Sequence, residues 1–255
     1  VTKPISKPPL RVVAVLAATV FAIAVPAVQM GMGLGLSQAE FAADGNTTLR
    51  AEGYAFSIWS VIYLGLIAYA VYQALPKTPE TPLLRRFGWP SAAAIFGCGV
   101  WIVAAALDLK WATVVIIFAS ALAAVEPLLD RSSYIRRAEG RDRLFVLWPL
   151  GLLAGWLTIA SALNLLTVLT AKGIITTSTA PVWAAGGVLA VTIAALYVTW
   201  RTRLIAYAIP IAWGLIGVFV AERVPKPDLA NLPLLASLVI LALGAAATLN
   251  RRRIN

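Results

Sequence analysis

Apolar residues run through this chain in long unbroken blocks, and the polar and charged positions fall between the blocks. Eight blocks stand out, at roughly 11–34, 54–75, 90–107, 110–129, 145–170, 179–200, 203–221 and 231–249. A helix needs about 20 apolar residues to cross the hydrocarbon of a bilayer, so each block predicts one span. The expected fold class is all-α, a polytopic transmembrane helical bundle. Only Asp108-Leu109-Lys110 separates the third block from the fourth, which predicts a tight helical hairpin. Pro90, Pro181 and Pro233 fall near predicted helix starts, where proline costs little. Pro26, Pro149 and Pro210 lie inside blocks and predict kinks or local unwinding.

Charge sorts the loops. With both termini on one side, that side holds 16 of the 21 basic residues, among them Lys3, Lys7, Arg11, Lys77, Arg85, Arg86 and Arg201. It also holds the basic loop 130–143 and Arg251 to Arg253. The other side holds Arg50, Lys110, Lys172, Arg223 and Lys226. Such asymmetry predicts cytoplasmic termini and an even number of spans, in a membrane such as the bacterial inner membrane. The net charge of +10 is therefore read as facing lipid headgroups, not nucleic acid. Lys3, Lys7 and Arg11 before the apolar run Val12 to Val28 have the form of a signal peptide; we read the segment as the first span.

Composition removes several chemistries. The chain has no histidine and a single cysteine, Cys98. An intrachain disulfide, a His/Cys metal cluster and a histidine-activated nucleophile are all excluded. Intramembrane charge is scarce. Glu126 near the end of the fourth span is expected to pair with Arg131 or Arg85. Asp108 is expected to pair with Lys110 across the hairpin, and Glu222 with Arg223 to end the seventh span in the same manner.

Two blocks carry more than lipid requires. The second contains Phe56, Trp59 and Tyr63, with Trp59 and Tyr63 four residues apart on one helix face. Either they pack between helices or they line a site for a flat apolar ligand. Tyr69 and Tyr72, nearer the end of the span, are expected to anchor at the interface. The fifth block places Trp156, Ala160 and Asn164 in an i, i+4, i+8 row, where a small residue lets another helix or a planar ligand approach. Asn164 is costly in a span unless hydrogen-bonded, and an interhelical bond is its simplest partner. Loop 35–53, which leads into the second block, is placed to act as a lid. Within it Asn46-Thr47-Thr48 is a formal glycosylation sequon.

Taken together, the Trp59-x-x-x-Tyr63 pair and the row Trp156, Ala160, Leu163-Asn164 resemble the TspO/MBR family, the tryptophan-rich sensory proteins related to the mitochondrial translocator protein. The resemblance covers about residues 10–170, the first five spans. It implies a five-helix bundle around an aromatic pocket for porphyrins or sterol-like molecules. On that resemblance Phe56, Trp59, Tyr63, Trp101, Trp156, Ala160 and Asn164 are the ligand-binding candidates, and a tetrapyrrole is the implied ligand. Photochemical ligand breakdown through a pocket Trp is implied by the resemblance alone; the residues themselves do not point to an enzyme.

The sequence also departs from the family. Arg50-Ala-Glu-Gly-Tyr54 stands where a Trp-x-Pro-Pro lead-in is usual, and Cys98 stands three residues before Trp101 where the family has Asn. Pro149 lies farther from Trp156 than the family pattern suggests. Residues 179–249 add three spans, and 250–255 form a basic tail. The chain thus reads as an extended branch, with a hydrophobic small molecule and membrane lipids as partners. A homodimer or larger complex is a further expected partner. Rival readings are an accessory subunit of a membrane complex and a facilitator of small apolar solutes.

Overall fold

The computed structural model describes residues 9–75, 78, 80–130, 138 and 140–252, and every regular element among them is helical. The helices are α1 (Leu10–Met32), α2 (Gln38–Ala43), α3 (Ile58–Ala74), α4 (Pro82–Ala106), α5 (Lys110–Val125), α6 (Trp148–Ala171), α7 (Ala180–Thr202), α8 (Ile205–Glu222) and α9 (Pro227–Arg252). All but α2 belong to the eight helical runs long and apolar enough to cross a membrane. A 3₁₀ turn, Gly53–Ser57, leads into α3, and a π turn, Arg143–Leu147, leads into α6.

Two helix starts differ from the sequence expectation. α4 begins at Pro82, eight residues before Pro90, because Thr81 caps it: the Leu84 N–H donates to the Thr81 hydroxyl at 3.2 Å. Proline is favoured in the first turn of a helix, and Pro82 takes that place while Pro90 sits in the interior. α9 likewise starts at Pro227 and carries Pro233 inside. Pro149, expected to loosen its span, stands in the first turn of α6, two residues past the π turn, where a missing backbone donor costs little.

The helices close two rings that share α6. In the first, α1 packs on α4, α4 on α5, α5 on α6, α6 on α3, and α3 back on α1. In the second, α6 packs on α8, α8 on α9, α9 on α7, and α7 on α6. One buried core runs through both, from Val15 in α1 to Ile240 in α9. Exposed Leu64, Val115, Leu122, Val182, Leu189 and Ile193 cover the outside, as lipid-facing surfaces require.

Polar contacts tie the ends of the rings. At one end Arg11 pairs with Glu80, the Tyr72 hydroxyl donates to Asp142, and Arg86 pairs with Glu126 and Asp130. At the other, Lys110 bridges Asp108 and Asp44. These contacts gather alternate loops on opposite ends, as eight antiparallel spans demand. Lys3, Lys7, Lys77, Arg131, Arg136, Arg137 and Arg253 lie outside the described residues.

Three expectations are corrected. Glu126 takes Arg86 and not Arg85; Arg131, the other expected partner, lies outside the described residues. Glu222 does not pair with Arg223; its carboxylate is buried and meets Lys226 at 3.0 Å, since i and i+4 share a helix face and adjacent residues do not. Tyr69 is no interface anchor: it is fully buried, with its hydroxyl 2.8 Å from that of Ser91.

Candidate functional site

The first ring encloses a cavity. It holds about 60 Å³, is partly open to the exterior, and lies beneath the segment that joins α1 to α3. Four helices and this segment supply the wall.

From α3 and the turn before it come Phe56 and Trp59. Helical spacing puts Tyr63 one turn below Trp59, and the two rings stack at 5.2 Å and 25°. From α6 comes the row Trp156, Ala160, Asn164, with Leu157, Leu163 and Thr167 beside it. The Trp156 ring meets Trp59 and Phe56 edge-on, each at 6.2 Å and 79°, an arrangement that aromatic quadrupoles favour. From α4 come Gly97, Cys98 and Trp101, and from α5 Ile117 and Ser120. A Cβ at Gly97 would stand 2.0 Å from the Ser120 hydroxyl, so α4 and α5 meet closely there and a larger residue would have to turn that hydroxyl away.

Asn164 is buried and hydrogen-bonded through both its carbonyl and its amide nitrogen. Its side-chain carbonyl accepts from the Trp101 indole N–H at 3.2 Å, and its amide donates to the Thr113 hydroxyl at 3.1 Å. The Thr113 hydroxyl in turn donates to the Lys110 carbonyl at 2.6 Å. The interhelical bond expected for Asn164 is thus a chain across α4, α5 and α6. It fixes the Trp101 ring in the wall.

The lid is a built structure. The Ser37 hydroxyl accepts from the Glu40 N–H while the Glu40 carboxylate accepts from the Ser37 N–H, a reciprocal capping box that starts α2. The backbone N–H of Ser37, then its hydroxyl, holds the Glu40 carboxyl below its ordinary range. Phe41 points down from α2, buried, edge-on to Trp101 at 5.9 Å. After α2 the chain is strapped to three helix ends. Asp44 pairs with Lys110, the Thr48 hydroxyl lies 2.6 Å from that of Thr170, and Lys226 donates to the carbonyls of Asn46 and Thr48 at 3.0 Å. Thr48 of the formal sequon is fully buried.

The second ring also holds this end. The Arg50 N–H donates to the Glu222 carboxylate at 3.1 Å, and the Glu52 N–H to the Gly217 carbonyl at 3.0 Å. The Trp213 indole donates to the Ala55 carbonyl at 2.9 Å. The start of α3, and with it Phe56 and Trp59, is positioned by α8.

Six of the seven candidates named from sequence line the cavity: Phe56, Trp59, Trp101, Trp156, Ala160 and Asn164. Tyr63 does not; it reaches the wall only through Trp59. The lid contributes Gln38, Phe41, Ala42, Leu49, Arg50 and Ala51, none of them singled out from sequence. Their one signal was the position of loop 35–53 before the aromatic span.

Comparison of the chain with curated proteins and with solved structures gives no match. A family model described as TSPO-like protein matches residues 11–248, so the match runs through all eight spans, the last three included. With that coverage, and with the aromatic cavity set between its first five spans, the chain belongs to the TSPO-like protein family.

Proposed function

We propose that this integral membrane protein binds a flat hydrophobic molecule, of tetrapyrrole or sterol-like shape, in the cavity of the first ring, and serves to sense or handle it. The supporting observation is the composition of the wall. Trp59, Trp101, Trp156, Phe41 and Phe56 offer rings, while Gly97 and Ala160 leave room between them. The wall is mostly apolar with a few placed polar groups, the makeup of small-molecule sites.

Binding would bury a planar apolar face against indole rings, with the hydrophobic effect as the main driving term. Asn164 can add direction. Its carbonyl oxygen has a second lone pair after accepting from Trp101, enough to take one ligand N–H or O–H. The excess of basic residues on the loops at the end of Arg11 and Arg86 supports cytoplasmic termini and a non-cytoplasmic lid.

The test is quenching of tryptophan fluorescence by protoporphyrin IX in detergent micelles. Replacing Trp59 and Trp156 together by Leu, or filling the space with Ala160→Phe, should each weaken binding about ten-fold or more, the loss of roughly 1.4 kcal/mol. The wild-type affinity in both variants would overturn the reading.

A further inference from the structure

Among the cavity-lining residues one carries a full charge, and that residue is Arg50. Its main chain is fixed by the bond from its N–H to Glu222. Its guanidinium has no hydrogen-bond or ion-pair partner among the described residues.

The neighbouring acids are committed elsewhere. Glu40 is used in the capping box, Asp44 and Asp108 share Lys110, and Glu222 holds Lys226. Glu52 accepts from the N–H of Gly53. Across the same wall Gln38 is half-buried, and its side-chain carbonyl is buried without a hydrogen-bond partner among the described residues. Buried polar atoms are normally paired. Rotation of the Gln38 amide by half a turn presents its N–H₂ group at the same place, so the position can donate as well as accept. The lid wall of an otherwise apolar cavity therefore includes an arginine whose guanidinium is unpartnered among the described residues, and a convertible amide. That is the donor set for a carboxylate.

We propose that Arg50, assisted by Gln38, selects cavity ligands that carry an acid group at the lid end, and so sets a preference for anionic over neutral planar amphiphiles. The inference rests on the cavity being a ligand site and names the chemical class that site takes. The apolar body lies between the Trp rings, and the acid group remains under the lid. A lipid headgroup offers the same anionic chemistry, and the test separates the two sources.

Protoporphyrin IX and its dimethyl ester share one ring system and differ in charge. Both are titrated by tryptophan quenching in neutral maltoside micelles, which contain no phosphate. Wild type should bind the diacid about ten-fold tighter than the ester, the ratio expected of one charge-assisted hydrogen bond. Arg50→Gln should weaken the diacid alone and bring the two affinities together. Arg50→Lys should keep part of the preference, because it keeps the charge but not the planar fork.

Equal binding of acid and ester by wild type, or an undiminished preference in Arg50→Gln, overturns the proposal while leaving the cavity reading intact. Loss of the acid preference on adding phosphatidylglycerol to the micelles assigns Arg50 to lipid and also overturns it. Failure of both porphyrins to bind wild type removes this inference and the cavity reading together. The ester also serves as the folding control: a variant that binds it as wild type does has kept the cavity.

Discussion

Gly155 offers the sharpest test of how the two rings are joined. It lies on α6 one residue before Trp156, at the contact with α8. A Cβ built there stands 2.1 Å from the Tyr207 carbonyl oxygen and 2.7 Å from the Pro210 ring. Ordinary contact begins near 3.4 Å, so main chain must retreat by more than an ångström, and no side-chain rotation relieves it. Overpacking of this kind typically costs about 1–3 kcal/mol. Alanine also gains up to about 1 kcal/mol over glycine through helix propensity, which would mask part of that cost. Gly186 on α7 separates the two effects, because a Cβ there has nothing within 4 Å. Gly186→Ala should therefore be neutral or stabilising, and Gly155→Ala should fall below it by the clash alone, about 1–3 kcal/mol. The assay is reversible unfolding in mixed micelles, with quenching by protoporphyrin measured alongside. Displacing α8 loosens Trp213 and Gly217, which hold the start of α3, so Gly155→Ala should also weaken porphyrin binding. Equal stability of the two variants would refute the close α6–α8 contact.

Other outcomes follow from the site. Asn164→Leu leaves the Trp101 N–H without its acceptor, at a cost of about 1–2 kcal/mol; combined with Trp101→Phe it should cost less than the two separate losses added together, and strict additivity in unfolding measurements would refute the coupling. Glu40 titrates below its ordinary value of 4.5 when α2 is capped, so its contribution is present above that value and lost as the pH falls through the lowered one. Amide exchange over residues 37–43 should accelerate on acidification in wild type relative to Glu40→Gln at the same pH; identical pH profiles would rule this out.

The spans were legible because lipid imposes a constraint that sequence records directly: a block of apolar residues or no crossing at all. The row Trp156, Ala160, Asn164 was legible for a related reason, since a fixed helical repeat converts spacing into a face. What sequence hid were the choices between environments that a residue type tolerates equally. Tyr69 near a span end suits either headgroups or a buried hydroxyl pair, and only the approach of Ser91 from α4 decides it. Pro90 marked a helix start by its usual habit, yet Pro82 behind Thr81 supplied a better one. Phe41, Leu49 and Arg50 read as scattered loop residues because nothing periodic links them; their role comes from folding back over α6. The α6–α8 contact did leave a trace, Gly151-x-x-x-Gly155, a pair of small residues of the kind that lets two membrane helices approach closely. A Cβ at Gly151 would meet the Leu204 side chain at 2.7 Å.

The lid is held unequally along its length, and this bears on which of its residues have fixed positions. Residues 37–45 are secured by the burial of Phe41 against Trp101, Ala105 and Val168 and by a partly exposed ion pair, Asp44 to Lys110. Exposed pairs contribute only about 0–1 kcal/mol. Residues 46–52 are secured from the second ring, by Lys226 and by a buried Glu222 carboxylate that receives both an ammonium and the Arg50 N–H. Removing one partner of a buried charge costs several kcal/mol, because the other is left unpaired. The first half of the lid is therefore held mainly by apolar contact, the second by buried charge. Gln38 and Phe41 belong to the first part, Leu49 and Arg50 to the part held by buried charge. A side chain that must discriminate between ligands is best set where its backbone is held before the ligand arrives. Arg50 has that placement, and the hydrogen bond that fixes it comes from the end of α8, in the second ring.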